Sequence, residues 1–206
     1  MRRSTGVTVW AVLLILGGGL SLAGSVVSSV VSGAMRGGAM EERFRQLDDQ
    51  LSHIKGTDGQ PMPPEKVAEM RAKLQQMRVK MEQFFTSPRM QMLTGAHGIV
   101  GLAALVAGIG VLLLKGWARS LAIGQAIGAL VVGLCSQLLM HGWQQEMMQS
   151  FAIGAVDPAQ QQAMQQAFQI AQTVGLGLGI VFLLAWNGLL LWFFNRASVK
   201  AQFQPG

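Results

Sequence analysis

Four stretches of the chain contain no Asp, Glu, Lys or Arg: residues 4–35, 90–114, 120–145 and 158–195. A helix needs about 20 mostly apolar residues to cross the hydrocarbon core of a bilayer, and each stretch is long enough to do so once. Inside lipid no water is present to bond backbone groups, so a spanning segment must satisfy its own N–H and C=O groups as a helix. The pattern therefore predicts an all-α fold, a membrane four-helix bundle with four spans. Half of the residues are apolar and only 13% are charged, which argues against an ordinary soluble domain.

The net charge of +6 invites a nucleic-acid reading, and its distribution removes it. Between the first and second spans lie ten basic and eight acidic residues, and between the third and fourth only Glu146 and Asp157. Arg2, Arg3, Lys115, Arg119, Arg196 and Lys200 have no acid beside them. All six fall on one side of a chain that crosses four times. This is the positive-inside bias, and it predicts both termini and the 115–119 turn in the cytoplasm. The expected surroundings are a lipid bilayer and no nucleic acid.

The chain divides into span one (1–35), an extracytoplasmic helical hairpin (36–91), span two (92–114), a cytoplasmic turn (115–119) and span three (120–143). Extracytoplasmic helix ends and a turn (144–170), span four (171–195) and a cytoplasmic tail (196–206), frayed from Ala201, complete it. Arg2, Arg3, the apolar run Val7–Leu16 and the small residues around Ser21 and Ala23 also fit a secretory signal. Apolar and small residues continue to Val31, beyond a usual signal core, so an uncleaved first span is expected.

The sharpest pattern lies outside the spans. Met40, Phe44, Leu47, Leu51 and Ile54 are spaced four and three apart, as are Val67, Met70, Leu74, Met77, Met81 and Phe84. Both are heptad seams. A Gly- and Pro-rich breaker from Gly56 to Pro64 joins them, and the second helix starts with Pro64 and Glu65 in its first turn. The expectation is an antiparallel coiled-coil-like stalk with the seams facing each other, the 144–170 helix ends beside it, and a break at Ser87 and Pro88.

Functional candidates are few. Gly17, Ser21, Ser25, Ser29 and Gly33 recur every fourth residue in span one, an extended small-residue packing stripe that serves either bundle packing or a docking partner. Gln125 and Asn187 lie at similar depth and could bond between helices. The spans hold no charged residue, which disfavours an ion pump or proton relay. His97 and His141 fall toward the outer ends of consecutive spans and raise a haem or copper alternative. Helix rise offsets them by roughly 6 Å in depth, however, and no further ligand completes a spacing. Met70, Met77 and Met81 read as seam fillers. Cys135 is the only cysteine, so no intrachain disulfide can form. No nucleophile–base or phosphate-binding motif is present; no cofactor, metal or enzymatic activity is expected.

The segment Leu114–Ala122, with Lys115, Trp117 and Arg119 leading into a Gly/Ala-rich third span, resembles the cytoplasmic turn of uncharacterised small bacterial four-span inner-membrane proteins. The resemblance covers spans two and three and implies a bacterial cytoplasmic-membrane protein without supplying an activity. Three functions stay open at this point. The first is a structural, accessory or assembly subunit that binds other membrane subunits or itself. The second is a homo-oligomeric channel with a neutral Ser/Gly-lined pore, and the third a haem- or copper-binding redox component.

Overall fold

The computed structural model describes residues 4–36, 39–51, 63–151 and 158–203. Among them every regular element is helical: α1 (Thr5–Arg36), α2 (Ala39–Leu51), α3 (Pro64–Thr86), α4 (Pro88–Leu112), α5 (Gly116–Phe151), α6 (Pro158–Asn195) and α7 (Ala197–Lys200), then a 3₁₀ turn at Ala201–Phe203. Four helices are long and apolar enough to cross a membrane, over Thr5–Ala34, Pro88–Leu112, Gly116–Met147 and Gln166–Asn195. Arg2, Arg3, Ile54, the breaker over 56–62, Gly154 and Asp157 lie outside the described residues, as do the side chains of Met40, Leu51 and Met148.

The chain packs as two compact units. One comprises Met1–Ser28, Met92–Met140 and Gln172–Gly206, the other Ser29–Gln91 and His141–Ala171.

In the first unit, α1 meets α4 backbone to backbone. A methyl group added at Gly18 would come within 2.6 Å of the Gly101 carbonyl oxygen and of the Leu105 nitrogen, and one at Gly108 within 2.8 Å of the Ala11 oxygen. Gly110 of α4 faces Ala118 and Trp117 of α5, and Gly133 of α5 faces Leu183 of α6. The ring of Trp10 on α1 lies 5.5 Å from that of Trp186 on α6 and 5.8 Å from that of Phe193. In the α1–α4 and α5–α6 contacts, ascending numbers on one helix meet descending numbers on the next, for example Gly133 with Leu183 and Gln137 with Gly179. The result is an up-down-up-down bundle. Its buried centre is rich in small side chains, Ala11, Ala104, Ala107, Ala118, Ala122 and Ala126, closed at one end by Val7, Val111, Leu190 and Phe194. Small residues let helices approach where lipid supplies no hydrophobic drive for association.

The link between α4 and α5 is shorter than the 115–119 turn read from charge, because Gly116–Arg119 already form the first turn of α5. Leu114 adopts a left-handed backbone conformation (φ 52°). The Lys115 N–H donates to the Gly110 carbonyl and the Leu114 N–H to the Val111 carbonyl, the two bonds of a Schellman closure. Glycine usually fills that position, and a side chain there costs about 1–2 kcal/mol; Leu114 offsets this by packing against the buried cluster.

The tail corrects the sequence expectation. Ala201–Phe203 are not frayed: the 3₁₀ turn buries Phe203, whose ring lies 6.4 Å from that of Phe194. Gln202 and Ser4 bond reciprocally, the Ser4 N–H donating to Oε1 (3.1 Å) and Nε2 donating to the Ser4 hydroxyl (3.2 Å). Ser4 Oγ also accepts from the Val7 N–H, capping the start of α1. A polar-looking tail therefore closes the bundle, because Val199 and Phe203, four residues apart, both turn into the core.

In the second unit, Ser87 serves two helices. Its N–H and Oγ donate to the Phe84 carbonyl at the end of α3, while Oγ accepts from the Met90 N–H at the start of α4. Pro88 follows as the first helical residue, where a missing N–H costs nothing. The expected break thus occurs without a loop.

Candidate interaction surfaces

Helices α2 and α3 pack on each other. Asp48 and Arg71 form an ion pair at 2.8 Å, both about half exposed. Around it Phe44, Arg45, Leu74, Gln75 and Arg78 line an open cleft of about 230 Å³. The seams are only partly covered: Phe44, Val67, Met70, Leu74, Met77, Met81 and Phe84 are half-buried, Leu47 is 45% exposed, and α3 has no buried residue. Lys73 donates to Glu69 one turn earlier. That hydrogen bond, reinforced by the lysine charge, holds the Glu69 carboxyl below its ordinary pKa.

Beside the seam residue Phe84, packing in this unit involves Phe85 and Trp143, which the heptad pattern did not select. The ring of Trp143 stacks on Phe84 (4.6 Å, 22°) and meets Phe85 edge-on at 5.8 Å. Its Nε1–H is buried without an acceptor. Trp143 belongs to no motif or periodic pattern in the sequence. Phe85 stands beside the seam in register, and nothing local says that a tryptophan some sixty positions later comes to meet it.

The small-residue stripe of α1 divides. Ser21 and Ser25 face α4: the Ser21 hydroxyl donates to the His97 carbonyl (3.2 Å), the Ser25 hydroxyl to the Ser21 carbonyl (2.9 Å), and Gly98 lies against Ser25. Gly17 and Gly33 have nothing near enough to touch an added methyl, and Ser29 is exposed. The closest contact with α4 runs through Gly18, which the every-fourth-residue pattern did not select.

Gln125 and Asn187 do not form the expected interhelical bond. Asn187 is almost wholly buried, and its Nδ2 donates to the Leu183 carbonyl of its own helix (2.9 Å). Asn187 Oδ1 and Gln125 Oε1 accept nothing. An Asn within a helix can reach the carbonyl one turn back, and that local bond draws the amide onto its own helix.

His97 belongs to the bundle unit and His141 to the second unit. The His141 ring bonds through Nε2 with Gln145 one turn on (3.0 Å). Among the described residues no three of His, Cys, Asp and Glu are grouped as metal ligands would be.

No family model, curated protein or solved structure matches the chain. What the molecule does must be argued from its own surfaces.

At one end of the bundle, Arg119 Nε donates to the Phe194 carbonyl (2.8 Å) and Nη2 to Asn195 Oδ1 (3.5 Å). This places a cation on the last carbonyls of α6, where the helix dipole favours it. Arg196 lies over the ring of Trp192 at 4.1 Å, and Gly116 adjoins the Phe203 carbonyl. The charge pattern identified these residues as topology markers; their mutual contacts come only from the way α5 and α6 pack.

Proposed function

We propose that the chain is a non-enzymatic membrane subunit, a four-span anchor that offers the α2–α3 hairpin to other subunits of a membrane complex. The observation that carries this reading is the half-covered hairpin. Its seams repeat like those of a coiled coil, yet α3 has no buried residue and Leu47 stands 45% exposed. An amphipathic pair that leaves its apolar positions partly open is suited to accept a further helix. In this reading the hairpin is an extracytoplasmic stalk. Both termini are cytoplasmic by the bias of Arg and Lys, and the membrane is the bacterial inner membrane.

The channel alternative draws less support. Ser21 and Ser25, the centre of the pore-lining stripe it requires, turn toward α4, and their hydroxyls are engaged by carbonyls of the same chain. The redox alternative has one of its two histidines bonded to Gln145.

The test is the mass and composition of the complex extracted gently from its own membrane through a C-terminal tag. The expected result is one or more other proteins in fixed ratio, lost on Leu47→Lys while bundle melting stays unchanged. Recovery of the chain alone as a symmetric oligomer would overturn the reading and make conductance in planar bilayers the next measurement.

A further inference from the structure

The bundle unit contains cations and no anions. Its residues, Met1–Ser28, Met92–Met140 and Gln172–Gly206, include Arg2, Arg3, Lys115, Arg119, Arg196 and Lys200 but not one Asp or Glu. The four described cations gather at one end. Arg119 reaches from α5 to the end of α6, Arg196 directly follows α6, Lys200 is the last residue of α7, and Gly116, next to Lys115, adjoins the 3₁₀ turn that follows Lys200. Arg119 is held by the Phe194 carbonyl and the Asn195 side-chain oxygen, whereas Lys115, Arg196 and Lys200 are exposed. Beside them stand Trp117 and Trp192, 52% and 57% exposed.

Charges of one sign at one end of the unit repel, and no Asp or Glu side chain within the unit relieves them. The counter-charge must come from outside. Two exposed tryptophans at the ends of membrane-length helices mark headgroup depth, where an amphipathic ring is favoured. Lysine stems can follow apolar surface and deliver their ammonium groups to the same level. Basic clusters at such a position recognise anionic lipid headgroups. We infer that Lys115, Arg196 and Lys200, flanked by Trp117 and Trp192, form a binding site for the phosphate headgroup of an anionic membrane lipid. Arg119 positions the site by fastening the start of α5 to the end of α6. The inference is independent of the subunit reading, since it concerns the bundle and not the hairpin.

The test uses the full purified chain, incubated with equal amounts of phosphatidylglycerol and phosphatidylcholine and read by native mass spectrometry. The wild type is expected to retain the anionic lipid on the order of tenfold over the zwitterionic one. Lys115→Gln, Arg196→Gln and Lys200→Gln together should bring the ratio close to parity. Melting in phosphatidylcholine alone should stay unchanged, because none of the three is buried. Lys115→Gln and Lys200→Gln are also read singly, each expected to lower the ratio severalfold, so the outcome does not hang on the triple variant folding. Equal retention by the wild type, or an undiminished preference in the variants, would overturn the inference. So would displacement of the lipid by millimolar inorganic phosphate, which assigns the site to a free anion. Loss of lipid preference in favour of a bound acidic protein or a second copy, seen as added mass, would overturn it equally.

Discussion

The α1–α4 interface and the α2–α3 contact each join two helices, and they are built in different ways. In the first, Gly18, Gly101 and Gly108 bring backbone against backbone, with no room for a methyl group. In the second, no α3 residue is buried, and a half-exposed Asp48–Arg71 ion pair joins the helices. A helix in lipid gains nothing by hiding apolar surface from lipid tails, so it must associate through close packing. A helix in water can associate through partial apolar cover, while an exposed ion pair adds about 0–1 kcal/mol. Steric precision maintains the first pair. The second leaves its apolar positions partly exposed.

The largest effect should come from breaking the close approach. Gly18→Ala and Gly108→Ala each force a methyl group into opposing backbone and should cost about 1–3 kcal/mol in unfolding from micelles or bilayers. Gly17→Ala, adjacent in sequence with open space around it, should change stability by less than about 0.5 kcal/mol. Equal effects at 17 and 18 would erase the contrast.

A smaller effect tests whether the hairpin unit has any specific packing. Trp143→Ala removes the stack on Phe84 and Phe85 and should cost about 0.5–1.5 kcal/mol, read as faster amide exchange in the last turn of α3. Trp143→Phe keeps an aromatic ring and removes a buried N–H without an acceptor, so it should be close to neutral.

The smallest effect concerns the hairpin's surface charge. The Glu69 carboxyl, lowered by its bond to Lys73, contributes stability that is present above the ordinary carboxylate pKa and lost as pH falls through the lowered value. Lys73→Gln should return the Glu69 titration, followed by NMR, toward an ordinary carboxylate and leave the bundle's melting untouched.

Much of the architecture was legible in the residues. Charge-free runs longer than a membrane span identified four helices, since a charge inside lipid is costly and its absence over such a length is informative. Pro64 and Pro88 marked helix starts, because proline is tolerated only in the first turn. Contacts between distant segments were not legible. The every-fourth-residue stripe selected Gly17, yet the α4 backbone sits on Gly18, and no periodicity within α1 reveals the direction from which another helix arrives. Gln125 and Asn187 matched in depth, but depth fixes only one coordinate of two side chains.

The sequence by itself determined the four apolar stretches long enough to span, the separation of a charged segment from acid-free ones and the basic residues that have no acid beside them. These are properties of composition and local spacing, set by the cost of placing charge or unpaired backbone in lipid. Only the tertiary structure decided that Gly18 and Gly101 meet, that Trp143 lies on Phe84, that Phe203 closes the bundle and that Arg119 fastens α5 to α6. Each of these depends on the rotation of one helix about its axis relative to another. Side-chain shapes at many positions fix that angle together, and no single segment encodes it.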